Sequence, residues 1–223
     1  MKILAFDTAN NIATVAISEG QKILAYIEEL RPSMQAERLI NMIESALEYS
    51  KLGYRDIDYL GVTNGPGSFT GIRIGLAAAK GILFNSKIKS TAISNFEVAN
   101  FRATLQAKNY QQSIILLDAY RSQLYVQIFD NHNNSSSNPL LLDYEAVINL
   151  LHQQQIRTIC AGSGIVRIYS KIKHLSYITI LPRFSRVKSI YLCRYIDLTL
   201  NKRKLLPFEP LYIRGADAKL QNR

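Results

Sequence analysis

Cysteine is nearly absent. Cys160 and Cys193 lie far apart and neither belongs to a C-x-x-C pair, so the sequence has no local signature of a thiolate metal site or of dithiol chemistry, and both read as buried structural residues. Histidine is as scarce: His132, His152 and His174 fall in a loop, at a helix end and in a basic stretch, a spacing that predicts no bound metal. No apolar run approaches the length of a bilayer span, and the opening residues meet Asp7 before a signal-peptide core can form. A cytoplasmic chain away from membranes is expected. Acidic residues run short in one region. Residues 1–165 balance 14 Lys and Arg against 14 Asp and Glu, whereas residues 166–223 carry 13 against 3, so the whole formal charge of +10 sits in the last quarter. Such an end suits either a polyanionic partner or a solvated basic face.

What is present is an ordinary globular composition, 48% hydrophobic over 223 residues, enough for one large domain or two small ones. Alternating and continuous apolar runs predict strands over residues 3–7, 12–18 and 23–30, an antiparallel meander. Ser33 reads as an N-cap, and Leu39, Met42, Ile43, Ala46 and Leu47 follow helical spacing up to Gly53. A strand over 59–63 leads into a glycine-rich segment that opens a second helix, followed by a strand over 88–92 and a helix over 96–105. After the polar linker 107–112 the chain begins again, because residues 114–118 echo residues 3–7, each an apolar strand ending in aspartate, and a returning strand (124–129) follows. Residues 131–138, rich in Asn and Ser, form a surface loop. Helix and strand patterns then alternate over 144–151, 156–161, 165–172, 177–181 and 185–200. Two α/β lobes, 1–108 and 109–223, are expected.

A duplicated unit with strand-end aspartates resembles the actin-like ATPase and sugar-kinase superfamily (ASKHA, ribonuclease H-like). That likeness implies a two-lobed α/β fold in which Asp7, Thr8 and Asp118 are vestiges of phosphate-facing residues. The cleft reads as degenerate, since the turns at 8–11 and 119–122 contain no glycine to let backbone N–H groups approach phosphate. The two aspartates serve equally as turn caps on this pattern. The segment Gly65-Pro66-Gly67-Ser68-Phe69-Thr70-Gly71-Ile72-Arg73-Ile74-Gly75 is neither a Walker loop, lacking Gly-Lys-Ser/Thr, nor a dinucleotide fingerprint, since Thr70 stands at the third glycine position. It reads as a strand-to-helix turn in which Ser68 and Thr70 cap the helix, or at which an anion sits.

This motif loop (Gly65, Pro66, Gly67, Ser68, Thr70, Arg73), together with residues 3–9, Leu117-Asp118-Ala119-Tyr120-Arg121 with Tyr125, and Glu209-Pro210-Leu211-Tyr212-Ile213-Arg214, resembles the TsaB (YeaZ) family. The resemblance covers most of the chain and is thin between Asn131 and Phe208. It implies a non-catalytic relative of TsaD that, with TsaE, supports threonylcarbamoylation of the adenosine 3′ to the anticodon in tRNAs reading codons that begin with A. It implies a heterodimer with TsaD, a homodimer when alone, no cofactor on this chain, and ATP and metal on partner subunits. The active relative resembles a metalloenzyme with an H-x-x-x-H pair on an early helix. Residues 34–39 here contain no histidine, and Gln35 stands where many family members keep one. Other readings are a metalloprotease-like or kinase-like enzyme of the same superfamily, or an independent RNA-binding protein.

Two surfaces follow as expectations. Gly71, Gly75, Ala78 and Ile82 share one helical face, and with Leu39, Ile43 and Leu47 of the preceding helix they are expected at the partner interface, the small residues allowing close helix approach. The alternative is that the chain's own helices cover one another. Arg186, Lys202, Arg203, Lys204 and Arg214 are expected to face tRNA.

Overall fold

A computed structural model of the chain describes residues 1–10, 12–181, 188–199 and 208–213. Strands β1 (Lys2–Asp7), β2 (Ala13–Glu19) and β3 (Lys22–Glu29) pair antiparallel as the sequence predicts. β1 is buried on both faces because it holds the centre of a five-stranded sheet, order β3-β2-β1-β4-β5. β4 (Tyr59–Thr63) runs parallel to β1, and β5 (Lys89–Ile93) parallel to β4. Parallel neighbours need crossovers, and helices α1 (Gln35–Ser50) and α2 (Phe69–Leu83) supply them. Helix α3 (Asn95–Thr104) then leads to the second copy: β6 (Gln112–Asp118), β7 (Gln123–Asp130), β8 (Leu140–Asp143), α4 (Tyr144–Gln153), β9 (Thr158–Ala161), α5 (Ile165–Ile172) and β10 (Ile178–Leu181). Its sheet order, β10-β9-β6-β7-β8, repeats the first with β6 in the place of β1. Helix α6 (Ser189–Thr199) closes the described fold.

Strand alternation separates two faces of each sheet. Leu4 and Phe6 pack with Leu39, Ile43, Leu47, Ile72 and Leu76 of α1 and α2, while Ile3 and Ala5 face Leu192, Cys193 and Ile196 of α6. In the second sheet Ile114 and Leu116 face α4 and α5, and Ile115 and Leu117 face Phe96, Ala99 and Ala103 of α3. The result is five layers, helix, sheet, helix, sheet, helix. The middle layer is exchanged: α3 comes from the first half of the chain and covers the second sheet, and α6 comes from the second half and covers the first. Phe101 and Tyr195 join the two helices with ring centroids 5.4 Å apart.

Local details depart from expectation in three places. Ser33 is not a cap: it takes a positive φ of 64°, and α1 starts behind Met34 with no side-chain cap. Thr70 lies exposed in the first turn of α2, whose N-cap is Ser68 alone, its hydroxyl accepting from Gly71 N at 3.2 Å. β8, a four-residue strand of the second meander, falls between the predicted loop and helix. Both cysteines are buried and free, and burial pushes each thiol up to about 12.

Candidate functional site at the junction of the lobes

The glycine-rich segment starts where β4 ends. Gly65 has φ +114°, a region open to glycine, and the Gly65–Pro66 peptide is cis. Asn95 holds both residues, donating its backbone N–H to Gly65 O at 2.7 Å and its side-chain amide to Pro66 O at 2.9 Å. From there the segment lies directly on the turn after β1. Ser68 N donates to Ala9 O at 2.6 Å, and Thr8 Oγ1 donates to Gly71 O at 2.7 Å. A Cβ on Gly67 would stand 2.1 Å from Ala9 O, one on Gly71 2.0 Å from Thr8 O, and one on Gly75 2.5 Å from Thr8 Oγ1. The glycines therefore let α2 close on the chain's own first turn.

This contact also takes two of the N–H donors near the helix start and sets carbonyl oxygens against the loop. An N-terminal helix turn binds phosphate through free N–H donors, but Ser68 N is taken by Ala9 O and Gly71 N by Ser68 Oγ, and the Thr8 and Ala9 carbonyl oxygens point into the loop. Asp7 is fully buried rather than turned to a cleft. Its carboxylate accepts from Thr63 Oγ1, from Asn10 Nδ2 at 2.9 Å and from Ala9 N at 3.2 Å. Burial raises its pKa, and those three donors offset part of the rise. Thr8 is buried as well, its hydroxyl spent on Gly71. The expectation that Asp7 and Thr8 face phosphate is thus corrected: both are structural.

Asp118 does reach the junction. It lines a cavity of about 260 Å³ with Asn10, Gly67 and Ser68 of the first lobe and Tyr120 and Ser163 of the second. Its carboxylate accepts from Tyr120 N at 3.0 Å and from Arg167 Nε at 2.9 Å, and a second Arg167 nitrogen lies 2.8 Å away. Sequence reading missed the second lobe's own glycine turn. Gly162 (φ +121°) and Gly164 fold onto Leu116 O as Gly67 and Gly71 fold onto the first turn, and Ser163 Oγ accepts from Asp118 N at 3.0 Å. A Gly-Ser-Gly between a strand and a helix, aligned with residues 65–75 in the repeat, was the available signal. Among the described residues no three His, Cys, Asp or Glu side chains come together. His152 and His174, separate in sequence, meet with ring centroids 5.8 Å apart.

Arg73 bridges the motif loop to the end of the chain. Its guanidinium lies 3.7 Å from the Phe69 ring centroid, its Nε donates to Tyr212 Oη at 3.0 Å, and Phe69 and Tyr212 stack at 4.9 Å. Residues 208–213 are tied to the loop by Leu211 N to Asn64 O (2.8 Å) and Asn64 Nδ2 to Glu209 O (2.9 Å).

The expected partner face is corrected for five of its seven residues. Leu39, Ile43, Leu47, Gly71 and Gly75 are buried in the chain's own core, and Ala78 and Ile82 pack partly against it. Small residues on α2 thus permit approach to β1 and the turn after it. The faces left outward are Glu37, Ile40, Glu44 and Tyr49 on α1 and Arg73, Ala77, Lys80 and Gly81 on α2, ending at Phe84, 86% exposed. Arg186, Lys202, Arg203, Lys204 and Arg214 lie outside the described residues. Among the described residues no helix is long and apolar enough to cross a membrane.

Two copies of a meander with parallel crossovers, joined through exchanged helices, define a two-lobed actin-like fold of the ASKHA class, in which carbonyl oxygens close on the first lobe's glycine loop. The activator of the 2-hydroxyisocaproyl-CoA dehydratase from Clostridium difficile, solved with bound ADPNP, shares the fold at a TM-score of 0.52 and 12% identity, over 93% of this chain and 100% of that one. The family model described as TsaD, tRNA N6-adenosine threonylcarbamoyltransferase, matches residues 33–178, and the chain belongs to this family as a TsaB-type (YeaZ-type) member. It is similar to the tRNA threonylcarbamoyladenosine biosynthesis protein TsaB of Haemophilus influenzae, 32% identical over 56% of this chain and 52% of that protein. That alignment takes in about half of the relative's length. YeaZ from Pseudomonas aeruginosa shares the whole fold, with a TM-score of 0.79 at 18% identity over 95% of this chain and 99% of that one.

Proposed function

We propose that this chain is the non-catalytic TsaB-type subunit of a cytoplasmic tRNA threonylcarbamoyladenosine assembly. In this reading it pairs with TsaD, works with TsaE, and supports transfer of threonylcarbamoyl to the adenosine 3′ to the anticodon of tRNAs reading codons that begin with A. ATP and metal belong to partner subunits, and the chain pairs with a second copy of itself when TsaD is absent. The observation that carries the proposal is the closure of the loop at residues 65–75 by the carbonyl oxygens of Thr8 and Ala9. Oxygen acceptors repel a phosphate, and opening the site would break the Ser68–Ala9 and Thr8–Gly71 bonds within the core. The family membership and the name of the Haemophilus relative supply the substrate class.

The pairing surface that fits is the outward side of α1 and α2, where Ile40, Tyr49 and Phe84 are the large exposed apolar side chains. The test is reconstitution with TsaD, TsaE, ATP, an activated threonylcarbamoyl donor and a tRNA transcript. Modification is expected only when TsaD is present. Ala77→Arg with Phe84→Asp should abolish pull-down of TsaD while leaving thermal unfolding unchanged, because both side chains are exposed. Asp118→Asn should leave modification intact. Turnover without TsaD, or a loss of turnover in Asp118→Asn with the complex still assembled, overturns the proposal.

A further inference from the structure

One end of the second lobe is cationic and, among the described residues, carries no carboxylate, and nothing in the proposed role uses it. The C-terminal ends of α4 and α5 meet the starting ends of β9 and β10 there. Tyr177 Oη donates to Leu151 O at 3.2 Å and to His152 O at 3.3 Å, and Thr158 N donates to Tyr177 O at 2.9 Å. These bonds bring the segment before β9, which carries Arg157, and the end of α5, which carries Lys171 and Lys173, to the same end of the lobe as the His152–His174 pair. All five side chains are exposed. Arg157, Lys171 and Lys173 enter no ion pair among the described residues. In sequence, residues 146–196 contain eight Lys and Arg and no Asp or Glu.

The first lobe provides an internal comparison, because it has the same topology. Its matching end, at the starts of β4 and β5, also carries cations (Arg55, Lys87, Lys89), but carboxylates are set among them. Asp56 accepts from Gly53 N at 2.8 Å and Asp58 from Lys2 N at 2.7 Å. The architecture therefore accommodates acids at this end and does not require their removal. A helix C-terminus favours a cation in its last turn, which accounts for Lys171. It does not account for Arg157, which precedes a strand, nor for the missing carboxylates.

We infer that this end of the second lobe, Arg157, Lys171 and Lys173 around the His152–His174 pair, is a contact surface for the sugar-phosphate backbone of a structured RNA. Unpaired cations release counterions when they neutralise phosphates, giving affinity without base reading. The flat imidazoles offer stacking planes, and Gln153, Gln155 and Ser176 surround them with exposed polar groups suited to phosphate and ribose oxygens. A lipid surface would need a cluster of apolar anchors, and among the described residues this end exposes a single large apolar side chain beside Arg157, Ile156. The inference rests on the tRNA-modification reading only for the choice of RNA as the polyanion.

The experiment measures binding of a labelled tRNA transcript to the full chain by fluorescence anisotropy, between about 50 and about 200 mM salt. Arg157→Ser, Lys171→Ser and Lys173→Ser together should weaken binding at least about tenfold at the low-salt end and lower the slope of log K against log salt by about 2 to 3, since each contact contributes about 0.9. A Lys171→Arg/Lys173→Arg variant should bind as the parent does. Lys87→Ser with Lys89→Ser, on the first lobe, should change affinity by less than about twofold. Thermal unfolding checks that each variant is folded. An unchanged slope in the triple variant, an equal loss in the first-lobe control, no binding by the parent chain, or binding to phosphatidylglycerol vesicles in preference to RNA overturns the inference. Pull-down of TsaD is scored separately. A chain that binds RNA here and fails to pair with TsaD would refute the proposed function and leave this surface standing.

Discussion

Two glycines six residues apart on α2 should respond to alanine with opposite signs. In the middle of a helix Gly→Ala gains about 0.5–1 kcal/mol from backbone entropy where space is free. At Gly81 nothing lies within 4 Å of the added Cβ, so Gly81→Ala should stabilise by about that amount and raise Tm by about 1–4 °C for a chain of this size. At Gly75 the added Cβ would meet Thr8 Oγ1 at 2.5 Å and Val62 Cγ2 at 3.3 Å. Thr8 cannot rotate freely, because its hydroxyl donates to Gly71 O in a buried site. Moving it leaves the buried Thr8 hydroxyl without its acceptor, about 1–3 kcal/mol, and overpacking adds about 1–3 kcal/mol. After the propensity gain, Gly75→Ala should destabilise by about 1–5 kcal/mol and lower Tm by roughly 2–20 °C. Urea and thermal unfolding followed by circular dichroism read both variants. Equal small effects at the two sites would refute the claim that these glycines serve the chain's own packing. The comparison also shows why a bulky charge at Gly75 would report on folding before it reported on any partner.

Both thiols are buried and held up to about 12, so neither Cys160 nor Cys193 should react with a disulfide reagent at pH 8 in the native protein, and both should react in denaturant; rapid native labelling would contradict their placement. Asp7 and Glu29 give opposite pH signatures. The folded-state pKa of Asp7 is raised by burial, so its contribution is greatest at acid pH and is lost as pH rises through that value; the stability of the parent relative to Asp7→Asn should fall as pH rises above the ordinary value of 3.8. Glu29, held at about 2 by hydrogen bonds from Arg31, contributes above its ordinary value of 4.5 and loses that contribution as pH falls towards 2, so the deficit of Glu29→Gln should vanish over that window. Urea midpoints across pH measure both, and a reversed slope in either pair overturns the assignment.

Much of the fold was legible because apolar runs and turn residues agree in both halves. The echo of residues 3–7 in residues 114–118 shows as equivalent central strands, and the continuous burial of β1 and β6 matches their apolar sequences. β8 was missed because three leucines and an aspartate at a sheet edge carry no period to read. The site was read less well, for a specific reason. Glycines at four-residue spacing state that something approaches α2 closely but not what, and the approaching group is the Thr8–Ala9 backbone, whose position depends on the β1–β4 pairing. The aspartates misled similarly: Asp7 and Asp118 occupy equivalent strand ends, yet Thr63 and Asn10 bury the first while Arg167 meets the second from α5.

The exchange of helices bears on what the junction can do. Closure of two domains about a ligand turns on a few loop residues that absorb the change. Here the lobes share a middle layer, in which α3 packs on the second sheet and α6 on the first, with Phe101 against Tyr195 and Tyr195 Oη 3.5 Å from a Glu97 oxygen. The segment 208–213 adds a third crossing: Phe208 packs on the first lobe's core and Ile213 on the cluster of Ile115, Leu117 and Tyr125 in the second, with the Arg73–Tyr212–Phe69 stack between them. Rotation of one lobe against the other would shear all three contacts at once. Cleft motion is therefore costly at the same junction where carbonyl oxygens close on the first lobe's glycine loop. Both features suit a body that presents fixed outer faces, α1 with α2 on one lobe and the cationic end of α5 on the other, in keeping with the scaffold role proposed above.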